Sequence, residues 1–267
     1  MAELAKFGLD DAGRGYRVAC TKEDIEGRTW FTEQMKRAGF DPVVDASGNI
    51  IGKRKGKNQS LKPTAFGSHI DMMPDGGNYD GPLGSISALK IIEVLNENKM
   101  LTEHPLEEII FANEEGGTVG SMAMAGGLTA DGLQQKSQSG LTMAEGIKAI
   151  RGNPDQIQSC IRKKCDPRAW LELHIEQGGI LERENVQIGV VEGIVGIVHW
   201  EVTVEGFANH AGTTPMHLRQ DALLAASRLV IAVNEVVNSI KGNQVGTIGR
   251  VTVYNVIPGK VVLRLEV

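Results

Sequence analysis

The feature that most constrains the fold is the strand, loop, helix and strand predicted by residues 64–112. Residues 64–70 form an apolar run typical of a buried strand, and a glycine-rich loop follows over residues 71–84. Residues 82–98 predict a helix with one apolar stripe, and residues 108–112 predict a second short strand. The stripe consists of Ala88, Ile91, Ile92 and Leu95. This order predicts an α/β sheet with polar residues at the strand ends.

The apolar pattern is weaker on either side of residues 64–112. Residues 25–40 predict an amphipathic helix that ends at Gly39, and residues 43–52 predict a strand, a turn and a strand. Residues 127–164 are polar and are expected to form a helical surface excursion. Residues 170–176 alternate between apolar and polar side chains, which predicts a strand with His174 on its polar face.

A β-rich pattern that begins after Ile188 predicts a second domain. Residues 198–205 alternate as a strand, and residues 214–237 predict a helix whose cap and first turn are Thr214-Pro215. Residues 246–254 and 260–267 predict two more strands. The resulting β-α-β-β order is the start of a split βαβ sandwich, which one more helix and strand would complete.

Charge, cysteine content and apolar patterning exclude several classes of protein. The 267 residues carry a net charge of −5 without a long basic run, so we expect no nucleic-acid partner. Three cysteines without a Cys-x-x-Cys pair indicate a reducing compartment, with neither a disulfide framework nor a thiolate zinc site. The N-terminus lacks a signal-like segment, and no run approaches about 18 apolar residues. We therefore expect a cytoplasmic protein with no membrane partner.

The triplet His69-Ile70-Asp71 places two functional side chains on one face at the end of the first strand, because strand side chains alternate with period two. Asp71 could hold the ring of His69 in the orientation that a metal ligand needs. A His-x-Asp triplet alone is more often structural than functional.

Three further features strengthen the case for metal chemistry. Asp80 precedes Gly81 in the same loop, Glu114 and Glu115 follow the second strand, and His174 lies on a polar face. A carboxylate beside a glycine can approach two cations, and metal-assisted hydrolysis commonly uses two ions about 3.5–4 Å apart. One glutamate could bind metal while its neighbour acts as the general base. The alternative for the glutamate pair is two solvated acids on a loop.

Five motifs carry a resemblance to a known family. They are GSHID (67–71), PDGGNYDGPLG (74–84), NEEG (113–116), ELHIEQG (172–178) and NHAGTTPM (209–216). Together they resemble the amidase branch of the M20 metallohydrolases, which holds N-carbamoyl-L-amino acid hydrolases, β-ureidopropionases and allantoate amidohydrolases. The resemblance covers nearly the whole chain.

The resemblance implies a site for two divalent metal ions. His69 and His174 would bind the first ion, Asp80 would bridge both ions, and Glu115 would bind the second. Carboxylate and imidazole ligands accept Zn²⁺, Mn²⁺, Co²⁺ or Ni²⁺, so the metal is left open.

The resemblance also implies roles around the metals. Glu114 would be the general base, Asp71 would orient the first histidine, and Gln177 would contact the substrate amide. His210 would stabilise the developing oxyanion, often across the interface of a homodimer, and Asn255 would help to hold the substrate carboxylate. A capped loop histidine is the alternative for His210.

The implied fold is α/β, with a zinc-peptidase-like α/β catalytic domain and a smaller ferredoxin-like α+β lid or dimerisation domain. Residues 1–188 would be the N-terminal portion of the catalytic domain, and residues 189–267 part of the lid domain. In the family, a further metal-binding histidine and a substrate-clamping arginine follow position 267. The chain is therefore expected to be a fragment or a truncated gene product.

The expected reaction is hydrolysis of a linear C–N amide bond in a carbamoyl or ureido substrate by a metal-activated water. The substrate would be an N-carbamoyl-L-amino acid or allantoate. Two alternatives stay open, namely an M20 peptidase or deacylase with the same metals, and an inactive fragment that binds at most one metal.

Overall fold

The computed structural model describes every residue from Met1 to Val267 and divides into two compact units, Met1–Gln187 and Ile188–Val267. The division falls beside the boundary expected near Ile188. The α-helices are α1 (Ala2–Ala5), α2 (Lys22–Arg37), α3 (Pro82–Glu97), α4 (Val119–Ala125), α5 (Ala130–Gln134), α6 (Met143–Ala149), α7 (Ile180–Glu184) and α8 (Ala222–Ser239). The strands are β1 (Asp41–Val44), β2 (Ile50–Arg54), β3 (Thr64–His69), β4 (Leu106–Phe111), β5 (Ala169–Leu171), β6 (His199–Glu205), β7 (Thr247–Tyr254) and β8 (Lys260–Glu266).

The first unit is built on a five-stranded sheet with the order β1-β2-β4-β3-β5. Strands β3, β4 and β5 are parallel to one another, whereas β1 and β2 pair antiparallel. Helix α3 connects the parallel neighbours β3 and β4, as a crossover between parallel strands must. The α/β prediction is confirmed, and the carboxyl ends of β3 and β4 lie side by side.

The main core of this unit lies between the sheet and helices α2 and α3. Phe31 and Met35 of α2 and Ile92 of α3 are fully buried against Ile50 and Ile110 of the sheet. The apolar stripe predicted for α3 therefore faces the core only in part, since the outer stripe residue Ile91 is 52% exposed.

Helix α2 begins three residues before the predicted start, because Thr21 caps it. The Thr21 hydroxyl accepts a hydrogen bond from the backbone N–H of Asp24, which satisfies a donor that a helix start leaves free. The helix ends before Gly39, whose φ of 86° lies in the left-handed region that glycine adopts at helix ends.

The segment of residues 127–164 is helical as predicted, but it is more than a surface excursion. Ile147 of α6 and Ile157 of a short 3₁₀ turn pack with Leu128 against Val119 and Ala123 of α4. The segment therefore contributes a second hydrophobic cluster, which its polar composition did not indicate.

The strand predicted over residues 170–176 is shorter than expected. It pairs with β3 only between Ala169 and Leu171, after which the chain leaves the sheet. The carbonyl of Leu173 lies where a side chain on Gly84 of α3 would be, so the backbone packs against the start of that helix. This contact, and not strand alternation, positions His174.

The second unit has the predicted β-α-β-β order, with an antiparallel sheet of order β6-β8-β7. Helix α8 packs on this sheet, where Ala222 and Ala226 are buried against Val261 and Leu263 of β8.

The predicted start of α8 at Thr214-Pro215 is wrong. A 3₁₀ turn at Met216–Leu218 follows that pair, and the helix begins only after Asp221. The Asp221 carboxylate accepts hydrogen bonds from the backbone N–H groups of Leu223 and Leu224, so this side chain is the helix cap.

Helix α8 also corrects the expectation about apolar runs. Its 18 residues are long and apolar enough, by length and composition alone, to cross a membrane. Within the second unit, only Ala222 and Ala226 of this helix are buried, where it packs on the three-stranded sheet.

Candidate metal centre

Two histidines and one aspartate converge at the carboxyl end of β3. His69 ends β3, Asp80 lies in the loop before α3, and His174 lies in the irregular segment after β5. Their ligand atoms all lie within 4.8 Å of one another. Asp80 Oδ1 is 3.1 Å from His174 Nε2 and 3.9 Å from His69 Nε2, so both rings face the same carboxylate oxygen.

The loop can bring Asp80 this close because glycine follows it. Gly81 has a φ of 74°, and a Cβ atom at this position would overlap the ring of His69. The strand end is also fixed from the helix, because the Ser85 hydroxyl donates a hydrogen bond of 2.9 Å to the His69 carbonyl. Sequence reasoning identified Gly81 as a neighbour of the carboxylate but missed its contact with the histidine.

Asp71 connects the first histidine to the glutamate loop. It is buried, and His69 Nδ1 lies 3.1 Å from its backbone carbonyl and 3.6 Å from its Oδ1. Its other carboxylate oxygen accepts a hydrogen bond of 3.1 Å from the backbone N–H of Glu115. Asp71 therefore directs Nδ1 away from the site and leaves Nε2 of His69 facing Asp80.

The two adjacent glutamates occupy different positions. Glu114 Oε2 lies 3.5 Å from His69 Nε2, and its side chain is 34% exposed. The side chain of Glu115 is outside the group of three close ligand atoms, although its backbone bonds Asp71. Both glutamates follow Asn113, whose φ of 48° is left-handed, as asparagine tolerates better than most residues.

Burial and neighbouring charges change the proton affinities in this cluster. Burial lowers the pKa of His69, but the hydrogen bond to Asp71 and the charges of Asp71, Glu114 and Glu115 outweigh it and raise the pKa to about 9. Burial also raises the pKa of Glu114 and of Glu115, and the nearby carboxylates add to this. A positive charge is therefore favoured where the two histidines meet the acids.

The donor set fits a divalent cation. Asp80 Oδ1 is buried and has no hydrogen-bond partner, although the other oxygen accepts a hydrogen bond from Gln177 Nε2. Buried carboxylate oxygens are normally paired, and this oxygen faces two imidazole nitrogens, as a ligand of a shared cation would. Two imidazoles and one carboxylate are ligands that Zn²⁺ and similar ions accept.

His210 and Asn255 come together in the second unit. They line one pocket of about 310 Å³ with Ala208, Asn209, Ala211 and Val256. Nδ1 of His210 accepts backbone hydrogen bonds from Gly212 at 3.1 Å and from Thr213 at 3.2 Å. The proton of the neutral ring is therefore on Nε2, which makes the ring a hydrogen-bond donor. Both the capped-loop description and a donor role are compatible with this geometry.

A protein-family model matches most of the chain. Residues 65–260 match the model of peptidase family M20/M25/M40. The chain belongs to this family.

Relatives within the M20 family include named amidohydrolases. The chain is 40% identical over 275 residues to an N-carbamoyl-L-amino-acid amidohydrolase of Paenarthrobacter aurescens, covering 99% of this chain and 66% of that one. It is 36% identical to an N-carbamoyl-L-amino acid amidohydrolase of Geobacillus stearothermophilus, covering 100% of this chain and 67% of the relative. The chain thus spans about two thirds of the length of these relatives.

A solved structure gives the same result. The amidase of the hydantoinase/carbamoylase family from Burkholderia vietnamiensis has a TM-score of 0.85 and 37% sequence identity. The match covers 99% of this chain and 66% of that one. The described fold is therefore that of an M20 hydrolase of the hydantoinase/carbamoylase type.

Proposed function

We propose that this M20 protein is a metal-dependent amidohydrolase that cleaves a linear C–N amide bond in a carbamoyl or ureido substrate. The observation that carries the proposal is the convergence of His69 and His174 on one orphaned oxygen of Asp80, with Glu114 beside them. The named relatives support the substrate class, because they are N-carbamoyl-L-amino acid amidohydrolases.

The side chains of the site would have different roles in hydrolysis. His69, His174 and Asp80 would hold the first cation, with Asp80 shared with a second cation held by Glu115. Bound divalent ions supply an activated water and polarise the scissile carbonyl. Glu114 accepts the proton of that water and returns it to the leaving nitrogen, and its raised pKa brings it nearer to the operating pH. Asp71 keeps the ring of His69 oriented.

Substrate contacts are assigned to three further side chains. Gln177, whose amide already reaches Asp80, binds the substrate amide at the metal centre. In the second unit, His210 offers an Nε2–H donor to a developing oxyanion, and Asn255 lies in the same pocket and binds a carboxylate.

The remaining assignments rest on the resemblance of the motifs. We propose that residues 1–188 are a metal-binding catalytic domain and residues 189–267 a lid or dimerisation domain. We also propose that the enzyme is a cytoplasmic homodimer that uses two Zn²⁺, Mn²⁺, Co²⁺ or Ni²⁺ ions and has no nucleic-acid or membrane partner.

The test measures metal content and ammonia release on the same preparation. N-carbamoyl-L-amino acids and allantoate are offered after loading with each of the four ions, with N-acetyl amino acids and dipeptides in parallel. We expect ammonia from the carbamoyl or ureido substrates. Turnover of only the acetyl or peptide substrates would instead assign a deacylase or peptidase, and metal binding without any turnover would refute the amidohydrolase.

The adjacent glutamates provide a matched pair of variants. Glu114→Gln is expected to keep its metal and to lose about 10²–10⁴-fold in kcat, as the removal of a general base does. Glu115→Gln is expected to lose metal affinity as well as activity. If both variants lost metal equally and kept the same residual kcat per bound ion, the division of roles would be wrong.

A further inference from the structure

A fully buried arginine outside the site connects the N-terminal segment to the end of β3. Arg17 has no exposed surface, and its Nε donates a hydrogen bond of 2.6 Å to the carbonyl of Ile70. Its backbone carbonyl accepts a hydrogen bond of 2.9 Å from the N–H of Met72. Arg17 therefore holds the chain on both sides of Asp71, immediately after His69.

The other end of the same guanidinium holds helix α1. Nη1 donates hydrogen bonds to the carbonyls of Leu4 at 3.0 Å and Phe7 at 2.5 Å. The Leu4 carbonyl also accepts a hydrogen bond from the backbone N–H of Phe7, so Arg17 adds a second donor at the end of α1. A single side chain thus ties the end of α1 to the strand end that carries the first histidine.

The surroundings of Arg17 provide both room for its side chain and negative charges near it. Helix α2 has Gly27 at the point of contact, where a Cβ atom would come within 2.9 Å of Arg17 Cδ. Burial lowers the pKa of Arg17 to about 10, while the charges of Asp24 and Asp71 act to raise it, so the side chain stays charged at neutral pH. Both aspartates are buried.

The desolvation of the Arg17 charge reduces the net stability that this arrangement can provide. A buried charge loses its hydration, which opposes the gain from the hydrogen bonds to carbonyl groups, and Arg17 Nη2 has no hydrogen-bond partner. The arginine alone supplies a rigid planar fork that reaches carbonyls in two directions. A lysine ammonium could reach either the Ile70 carbonyl or the carbonyls at the end of α1, but not both.

We propose that Arg17 is a positioning residue for the metal centre, which couples the docking of residues 1–17 to the metal affinity of His69. The inference rests on the proposed function, since it requires that His69 binds metal. Coupling is reciprocal. Docking of the N-terminal segment fixes the Ile70 carbonyl and so strengthens metal binding, and metal binding in turn holds the N-terminal segment in place.

The first test compares metal affinity in Arg17→Lys, Arg17→Met and Arg14→Met. Arg14 is the matched control, because it lies on the same segment but is exposed and pairs with Asp10. Zn²⁺ dissociation constants are measured by competition with a chromophoric chelator, at a temperature where circular dichroism shows each variant folded. Arg17→Lys is expected to bind Zn²⁺ at least about tenfold more weakly, the loss typical of groups that orient a ligand, and Arg14→Met within about twofold of wild type.

A second measurement separates positioning from a general loss of stability. Hydrogen exchange of the backbone amides in residues 4–9 is followed in wild type with and without Zn²⁺. We expect Zn²⁺ to slow this exchange in wild type and to have a much smaller effect in Arg17→Lys. A structural role alone would lower the melting temperature without changing the Zn²⁺ dissociation constant of the folded protein.

The outcomes are distinct. Wild type that does not bind Zn²⁺ would overturn both the metal centre and the role of Arg17. Wild type that binds Zn²⁺ while Arg17→Lys binds it equally well would overturn only the role of Arg17, as would exchange of residues 4–9 that is unaffected by Zn²⁺. Arg17→Met adds the loss of charge, and the conclusion does not require that it folds.

Discussion

Replacing Glu108 with leucine is expected to stabilise the first unit. Glu108 lies within β4, is fully buried, and neither carboxyl oxygen has a hydrogen-bond partner. Its side chain shares a strand face with Leu106 and Ile110, which belong to the main core. Burial raises the pKa of this carboxyl well above its usual range, so the protonated form is favoured in the folded chain.

The magnitude follows from the unpaired oxygens. A buried polar group without a partner costs about 1–3 kcal/mol, and leucine fills a similar volume without that group. Glu108→Leu should therefore raise the free energy of unfolding by about 1–3 kcal/mol. Glu108→Gln is the matched control, because it keeps the shape and the unpaired polar atoms but cannot ionise.

The same residue makes stability depend on pH with a definite sign. The unfolded chain releases this proton near 4.5, and the folded chain releases it only at higher pH. Between those values the folded state binds more protons, so stability falls as pH rises, by about 1.4 kcal/mol per pH unit. The contribution is complete below the unfolded value and is lost as pH reaches the folded pKa. Asp24, whose pKa burial raises to about 6, adds a change of the same sign at lower pH.

Urea unfolding of wild type, Glu108→Leu and Glu108→Gln, followed by circular dichroism at about pH 5, 6 and 7, tests both statements. The Gln variant retains Asp24, so its difference from wild type at each pH isolates the ionisation of Glu108. The reasoning would be refuted if Glu108→Leu were less stable than wild type at pH 7. It would also be refuted if the difference between wild type and Glu108→Gln were the same at all three pH values.

Three other substitutions have expected outcomes. Glu107→Leu, on the opposite face of β4, should lower the free energy of unfolding by about 1.5–3 kcal/mol in the same urea assay, because buried Glu107 pairs with Arg162; an unchanged midpoint would contradict this. Gly81→Ala should weaken Zn²⁺ binding at least about tenfold in the chelator competition, since the new methyl group displaces the His69 ring, and unaltered affinity would argue against that contact. Asp221→Ala should lower the stability of the second unit by about 1 kcal/mol in thermal unfolding, while Asp221→Asn keeps the cap and stays near wild type; equal losses would rule out capping.

Local sequence patterns predicted the parts of the fold that local forces determine. The stripe of α3 and the apolar runs of β3 and β4 gave those elements within a few residues, and the β-α-β-β order of the second unit is confirmed. The start of α8 was placed too early, because a proline after threonine resembles a helix start whether or not a helix follows. Asp221 is the actual cap of the helix. The sequence alone does not favour it over Thr214, and only its hydrogen bonds to the helix start identify it.

The sequence predicted which residues form the candidate site, but not the contacts that hold those residues in place. The motifs pointed to His69, Asp80 and His174, which the structure brings together. The length of β5 could not be predicted, because the chain leaves the sheet through a contact with α3 that no local pattern records. Arg17 also went unassigned, since a single arginine in a glycine-rich stretch gives no sign that it will be buried.

The ligands of the metal centre are far apart along the chain. His69 and His174 are separated by about a hundred residues, which include α3, β4 and the whole helical segment before β5. An ion held by both would bind the folded chain and not the unfolded one, because unfolding separates the two histidines by the length of that stretch. Stability of the first unit would then rise with the logarithm of free metal concentration, so the availability of the ion would set the fraction of the protein that is folded.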